Sequence, residues 1–140
     1  MFQFKLAATS LEKIDLKKGL VNPRTGAFNS FEGLVRNHNH GRRVVALEYE
    51  ALPALCAKEI QKIFKEARKK FKIIHTRCFH RVGILRVGEM AVWVGVCASH
   101  RDQAFLACRY IIDEVKKRLP IWKKEYYKSG NSGWVNACHK

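Results

Sequence analysis

The segment LPIWKKEYYKSG, residues 119–130, places two cations, Lys123 and Lys124, directly behind a proline and a bulky aromatic, Trp122. Solvated lysines need no such platform, so the pair points to an anion. A second cationic group stands in SHRDQAF, 99–105. If a helix starts there, His100 and Arg101 fall in its first turn, where unpaired backbone N–H groups and the positive end of the dipole already attract anions. Acidic residues are the ones that stabilise a helix start. The cationic start therefore marks either an anion site or, through Asp102, a purely structural ion pair. A third group crowds the loop VRNHNHGR, with Arg36, His38, His40, Arg42 and Arg43 at the end of a strand. Arginine's planar fork suits a phosphate or carboxylate. The two histidines lack further ligands at a recognised spacing, so no metal site is expected.

Helical phase separates lysines that otherwise look alike. At about 100° per residue from Ala104, the apolar residues Ala104, Phe105, Cys108, Ile111, Ile112, Val115 and Leu119 form one stripe; Lys116 falls at about 120°, just beyond its edge, and Lys117 at about 220°, towards water. Lys116 either snorkels along the core margin or sends its ammonium into a cleft. In a cleft, desolvation and neighbouring cations would lower its pKa, which suits proton transfer or nucleophilic work.

The elements that must position these groups follow from hydrophobic period. Phe2, Phe4 and Leu6 alternate as in a short strand, one or two helical turns run from Thr9 or Ser10 to Gly19, and NPRTG at 22–26 is a turn. From Gly26 to Arg36 the pattern is strand-like, with Ala27, Phe31, Gly33 and Val35 on one face, and VVALEYEA follows the polar loop as a second strand. A glycine-bearing loop of that length predicts an antiparallel pair. Pro53 opens a helix whose Leu55, Cys56, Ile60, Ile63, Phe64, Ala67 and Phe71 recur at three- and four-residue spacing. Residues 72–79 and 90–98 read as strands, and a helix capped by Ser99 runs to Pro120. The order predicts an α+β fold with a mostly antiparallel sheet and two main amphipathic helices, one domain over residues 1–140.

Composition narrows the class of function. Lys and Arg number 27 against 12 Asp and Glu, a formal charge of +15, so an anionic partner or substrate is expected. The N-terminal MFQFKLAATSLEKIDLKKG interrupts every apolar run, so no secretory leader is expected, and MAVWVGVCA at 90–98 is far too short for a bilayer. The five cysteines form no C-x-x-C pair and four lie in apolar periodic segments, which predicts buried reduced thiols in a cytoplasmic protein.

Four stretches in order, GAFNSFEGLVRNHNHGRRVVALEYEA, HRVGILRVGEMAVWVGVCASHRDQAF, DEVKKRLPIWKKE and the GW at 133–134, resemble the large, catalytic subunit of molybdopterin synthase, from about Gly26 to Val135. The resemblance implies an α/β hammerhead-like fold with an added antiparallel sheet. It implies a sulfurtransferase of molybdenum cofactor biosynthesis that dimerises and receives a small, ubiquitin-like subunit on each copy, giving a heterotetramer. Sulfur from the small subunit's C-terminal thiocarboxylate would pass to cyclic pyranopterin monophosphate to build the dithiolene of molybdopterin. No permanently bound cofactor is implied. Carried over by position, the catalytic lysines match Lys116 and Lys123, and the anion-binding residues match Arg36, His100 and Arg101. Whether Lys116 acts as acid/base or as a transient covalent partner is open. In the family an Arg beyond the final Trp-Val reaches a neighbouring subunit's pocket; here Cys138 stands near that place, with His139 or Lys140 as the candidate substitute. The alternative from charge alone is a basic nucleic-acid-binding module. The motifs offer it no zinc finger, helix-turn-helix or RNP-like aromatic pair.

Overall fold

A computed structural model describes residues 1–137. One sheet is ordered β1 (Phe2–Ala7), β5 (His75–Arg81), β7 (Met90–Ala98), β2 (Ala27–Leu34); β1 and β5 run parallel and the other pairs antiparallel. Helices α1 (Pro53–Lys70) and α2 (Arg101–Arg118) cover one face of it. Their stripes, Cys56, Ile60, Ile63, Phe64 and Ala67 against Ala107, Cys108, Ile111, Ile112 and Val115, meet Cys78, Val92, Val94 and Val96 in the main core. The other face is closed by the N-terminal segment around a short 3-10 turn (Leu11–Lys13), where Leu11, Leu16 and Leu20 pack on Phe79 and Trp93. Strand β7 is thus covered on both faces, which is why its sequence is a continuous apolar run rather than an alternation. Removing a fully enclosed side chain from this layer, as in Ile111→Ala, costs about 2–5 kcal/mol.

A second sheet carries β3 (His38–Asn39), β4 (Arg42–Ala51), β8 (Ile121–Tyr127) and β9 (Gly130–Asn136) in that order, all antiparallel, with β6 (Gly83–Arg86) also pairing with β4. Its own small core joins Val35, Val44, Leu47, Leu85 and Ala91.

Three expectations need correction. The strands on either side of the 36–42 loop do not pair: β2 lies against β7 and β4 against β8. The chain leaves the first sheet at a register shift between Gly33 and Leu34, and Val35 is then fixed by backbone bonds with Glu89 and Gly88. The loop itself makes a tighter hairpin, β3 to β4, turning at His40 and Gly41, both with positive φ; that is the two-residue turn favoured by strand twist. Second, Phe105 is 57% exposed instead of lying in the α2 stripe, because the first sheet stops at its edge strand β2 and nothing covers that side of the helix among the described residues; Leu55, expected in the α1 stripe, is exposed too. Third, the residue before α2 is His100, which makes no side-chain cap bond; Ser99 lies one position further out. Gly26 begins β2 so close to this turn that a Cβ there would stand 2.1 Å from the Ser99 carbonyl oxygen. Four of the five cysteines, at 56, 78, 97 and 108, are buried free thiols; Cys138 lies outside the described residues.

Candidate active site

Strand period decides which of the two lysines after Trp122 can act. Along β8 the side chains alternate, so Ile121, Lys123, Glu125 and Tyr127 share the inner face, and Trp122, Lys124 and Tyr126 the outer one. Lys124 is occupied outside, 4.7 Å from the Trp134 ring centroid and 5.9 Å from that of Tyr126. Lys123 turns into a cleft of about 550 Å³ between the second sheet and the C-terminal half of α2. The aromatic platform at Trp122 therefore belongs to the opposite face from the cleft.

Lys116 enters the same cleft from α2 and Arg36 from the segment after β2. The cleft is open, and by surface area Lys116 is an exposed residue. Its walls still strip part of the ammonium's hydration, and this desolvation, followed by repulsion from Lys123 and then Arg36, lowers its pKa below that of an ordinary lysine. Among the described residues Lys116 makes no ion pair. Its neighbour Lys117 also touches the cleft, at its rim, but is 71% exposed and reaches Glu114 at 3.6 Å, the more solvated position that the helical phase expects.

Several site residues escaped the sequence reading. Glu125 is 6% exposed and its carboxylate accepts two bonds from the Asn39 amide, at 2.9 and 2.8 Å, and one from the Tyr127 hydroxyl at 2.8 Å, with Lys123 at 4.0 Å. Burial alone would raise its pKa, but these donors and Lys123 lower it below the usual carboxylate value. Tyr49, its hydroxyl pushed up to about 12 by burial and by Glu125, forms part of the wall. The alternation Lys123, Glu125, Tyr127 was the available signal, had residues 121–127 been read as a strand. Asn39 had none, since its role depends on the hairpin.

Of the proposed anion-binding residues, Arg36 lines the cleft and His100 and Arg101 do not. They sit exposed at the opposite end of α2, about 22 Å from Lys116 at 1.5 Å per residue. Neither forms an ion pair with Asp102 among the described residues. In the loop cluster only Arg36 and His38 reach the cleft; Arg42 instead stacks 3.8 Å from the Tyr127 ring centroid. The proposed C-terminal contributors His139 and Lys140 lie outside the described residues.

The chain that builds this cleft is similar to known proteins. A family model described as MoaE protein matches residues 6–118. A Thermoplasma volcanium protein named molybdopterin synthase catalytic subunit is 39% identical over 130 residues, 93% of this chain and 95% of its own length. Among solved structures, molybdopterin synthase from Staphylococcus aureus superposes with a TM-score of 0.83 at 32% identity, covering 96% of each chain. A complex of subunits 1 and 2 of molybdopterin-converting factor from Helicobacter pylori has a TM-score of 0.71 at 18% identity, over 93% of this chain and 87% of that one, and shows likeness of fold.

Proposed function

The chain belongs to the MoaE family of molybdopterin synthase catalytic subunits, and from that premise we propose that its cleft joins a small subunit's thiocarboxylate to cyclic pyranopterin monophosphate. Thiocarboxylate and phosphate are both anions. At about 4 Å and an effective dielectric of 20 two such charges repel by about 4 kcal/mol. The observation that carries the reading is the convergence of Arg36, Lys116 and Lys123 on one cleft, where three cations offset that repulsion.

In this reading Lys123 stabilises the thiocarboxylate and the oxyanion that develops at its carbonyl. Lys116 holds or moves a proton as sulfur adds to the side-chain carbons of the pterin. Arg36 binds the phosphate. His100 and Arg101 join it from a second copy of the chain, because their own copy holds them at the far end of α2. Four large apolar side chains, Phe31, Leu34, Phe105 and Leu106, lie exposed along β2 and α2, and with Lys116 at its margin this face fits the homodimer contact. With one small ubiquitin-like subunit on each copy the assembly is a heterotetramer, and molybdopterin is the product. No described helix is long and apolar enough to cross a membrane; a cytoplasmic location is part of the proposal. The relatives found are synthase subunits, so the nucleic-acid alternative has no support.

The test combines the purified chain with thiocarboxylated small subunit and cyclic pyranopterin monophosphate. Molybdopterin should form in proportion to thiocarboxylate consumed. A folded chain that binds the small subunit but yields no product would overturn the reading.

A further inference from the structure

Beneath Lys116 lies a second, smaller chamber of about 70 Å³, roomy enough for a bridging water. Apart from Lys116, the only side chains among the described residues that line it and carry polar groups are those of Tyr49 and His80; the other described lining residues are apolar or glycine. His80, on β5, is 7% exposed and meets the Tyr49 ring edge-on at 5.0 Å between centroids. Its Nδ1 lies 2.7 Å from the Arg81 carbonyl oxygen. A carbonyl can only accept, so Nδ1 carries the proton, and the lone pair belongs to Nε2. Among the described residues Nε2 has no hydrogen-bond partner. Burial pushes this imidazole down to about 4, and the charge of Lys116 adds to the effect, so the ring stays neutral wherever the enzyme works.

We propose that His80 is a positioning residue for Lys116: with Nδ1 committed to its own strand, its Nε2 accepts a hydrogen bond from a water in the chamber that in turn accepts one from Lys116 Nζ. The inference rests on Lys116 being the reactive amine. A neutral acceptor at that point favours the ammonium over the amine, because the charged donor makes the stronger bond. It also fixes the direction in which Nζ presents its remaining protons to the cleft. The other groups around this pair are the Tyr49 hydroxyl from β4, Lys123 from β8 and Arg36 from the segment after β2, with Glu125 acting on Tyr49 and the carboxylates of Asp113 and Glu114 lining the cleft from α2 itself. The two cations favour the free amine, so His80 opposes them and keeps Lys116 able to return the proton it takes.

The amides of asparagine and glutamine separate the two nitrogens. His80→Asn keeps a donor near Nδ1 and lacks the Nε2 acceptor, whereas His80→Gln can place an acceptor near Nε2. The measurements are the pH dependence of single-turnover sulfur transfer and, independently, the titration of Lys116 followed by NMR of the isotopically methylated lysine. In His80→Asn the transition belonging to Lys116 should move down by about one pH unit in both, and transfer at neutral pH should fall about tenfold. His80→Gln should recover most of each, and Tyr49→Phe should leave the Lys116 transition in place. A Lys116→Ala variant with normal transfer would remove the premise. If Lys116→Ala abolishes transfer while the Lys116 titration in folded His80→Asn matches the parent, the premise stands and the His80 role is wrong. An equal shift in Tyr49→Phe would also overturn it, assigning the contact to the hydroxyl.

Discussion

Lys116 and Lys117 are adjacent, chemically identical and on the same helix, so replacing each in turn isolates the effect of position. Methionine preserves the aliphatic stem and removes only the charge. An ammonium about 4 Å from a developing negative charge, at an effective dielectric of 20, is worth about 4 kcal/mol, and loss of one preorganised donor costs about 3 kcal/mol. Lys116→Met should therefore lower single-turnover sulfur transfer by about two to three orders of magnitude. Lys117, 71% exposed and paired only with Glu114, sits where an ion pair contributes below about 1 kcal/mol, so Lys117→Met should change the rate by less than about twofold. Stability should move the other way. Because its folded-state pKa is lowered from 10.5, Lys116 makes the native state bind fewer protons than the unfolded chain between the folded value and 10.5. Its charge therefore destabilises the fold at neutral pH, and stability recovers as pH rises through the folded pKa. Lys116→Met should hold or raise the thermal midpoint at pH 7 while activity collapses. The assay is product formation under saturating thiocarboxylated small subunit, with thermal unfolding in parallel. Equal rate losses in the two variants, or a Lys116→Met protein less stable than its parent, would refute the assignment of a desolvated, reactive amine.

Three further outcomes are expected. Lys123→Ala should impair transfer at least tenfold, while Lys124→Ala, which removes a cation from the outer Trp134 and Tyr126 face, should leave it within about twofold; single-turnover rates distinguish them. Mixing Lys116→Ala protein with Arg101→Ala protein under conditions that exchange subunits should restore about a quarter of the parental rate, since half the dimers are mixed and one site in each is intact; no recovery despite exchange would mean that Arg101 is not shared between copies. Glu66 accepts two bonds from Arg118, at 2.6 and 3.0 Å, and one from the Tyr110 hydroxyl at 2.6 Å, and these donors hold its carboxyl down to about 2. That α1–α2 staple is fully formed above its ordinary pKa of 4.5 and is lost as pH falls towards 2, so Glu66→Gln should lower the denaturation midpoint at pH 7 and flatten the acid limb between those values.

Much of this was legible from period alone. The two helices and β7 stand where the three- and four-residue spacing and the apolar run place them. Helical phase also put Lys116 at a core margin and Lys117 in water. What stayed hidden was non-local. The pairing of β2 with β7, 60-odd residues away, is not written into the loop that follows β2, and that loop's true turn lies within it at His40 and Gly41. Beyond the β8 alternation nothing in the sequence singles out Glu125, because its partner Asn39 is supplied by that hairpin, 86 residues earlier. The four large apolar residues left exposed on β2 and α2 were just as invisible, since periodicity marks a residue as apolar and cannot say whether the covering surface belongs to the same copy.

The cleft treats Lys123 and Lys116 unequally, and that inequality is its chemical content. Lys123 has a carboxylate at 4.0 Å, itself pinned by Asn39 and Tyr127 so that it cannot swing closer. A charge balanced at fixed distance suits a group that must stay cationic and stationary while an oxyanion grows beside it. Lys116 has Lys123 and Arg36 as the charges that act on it most across the cleft, and a neutral imidazole in the chamber below. Among the described residues no carboxylate pairs with it, so the thiocarboxylate or phosphate itself should raise the Lys116 pKa on binding. Proton uptake would then accompany substrate entry, and proton release would accompany the departure of the anions. Isothermal titration in buffers of differing ionisation enthalpy reads that uptake directly. Near the pH at which free Lys116 is half-protonated, the parent should take up a fraction of a proton that Lys116→Met does not, and identical uptake in both would show that the amine is already fully charged in the empty cleft.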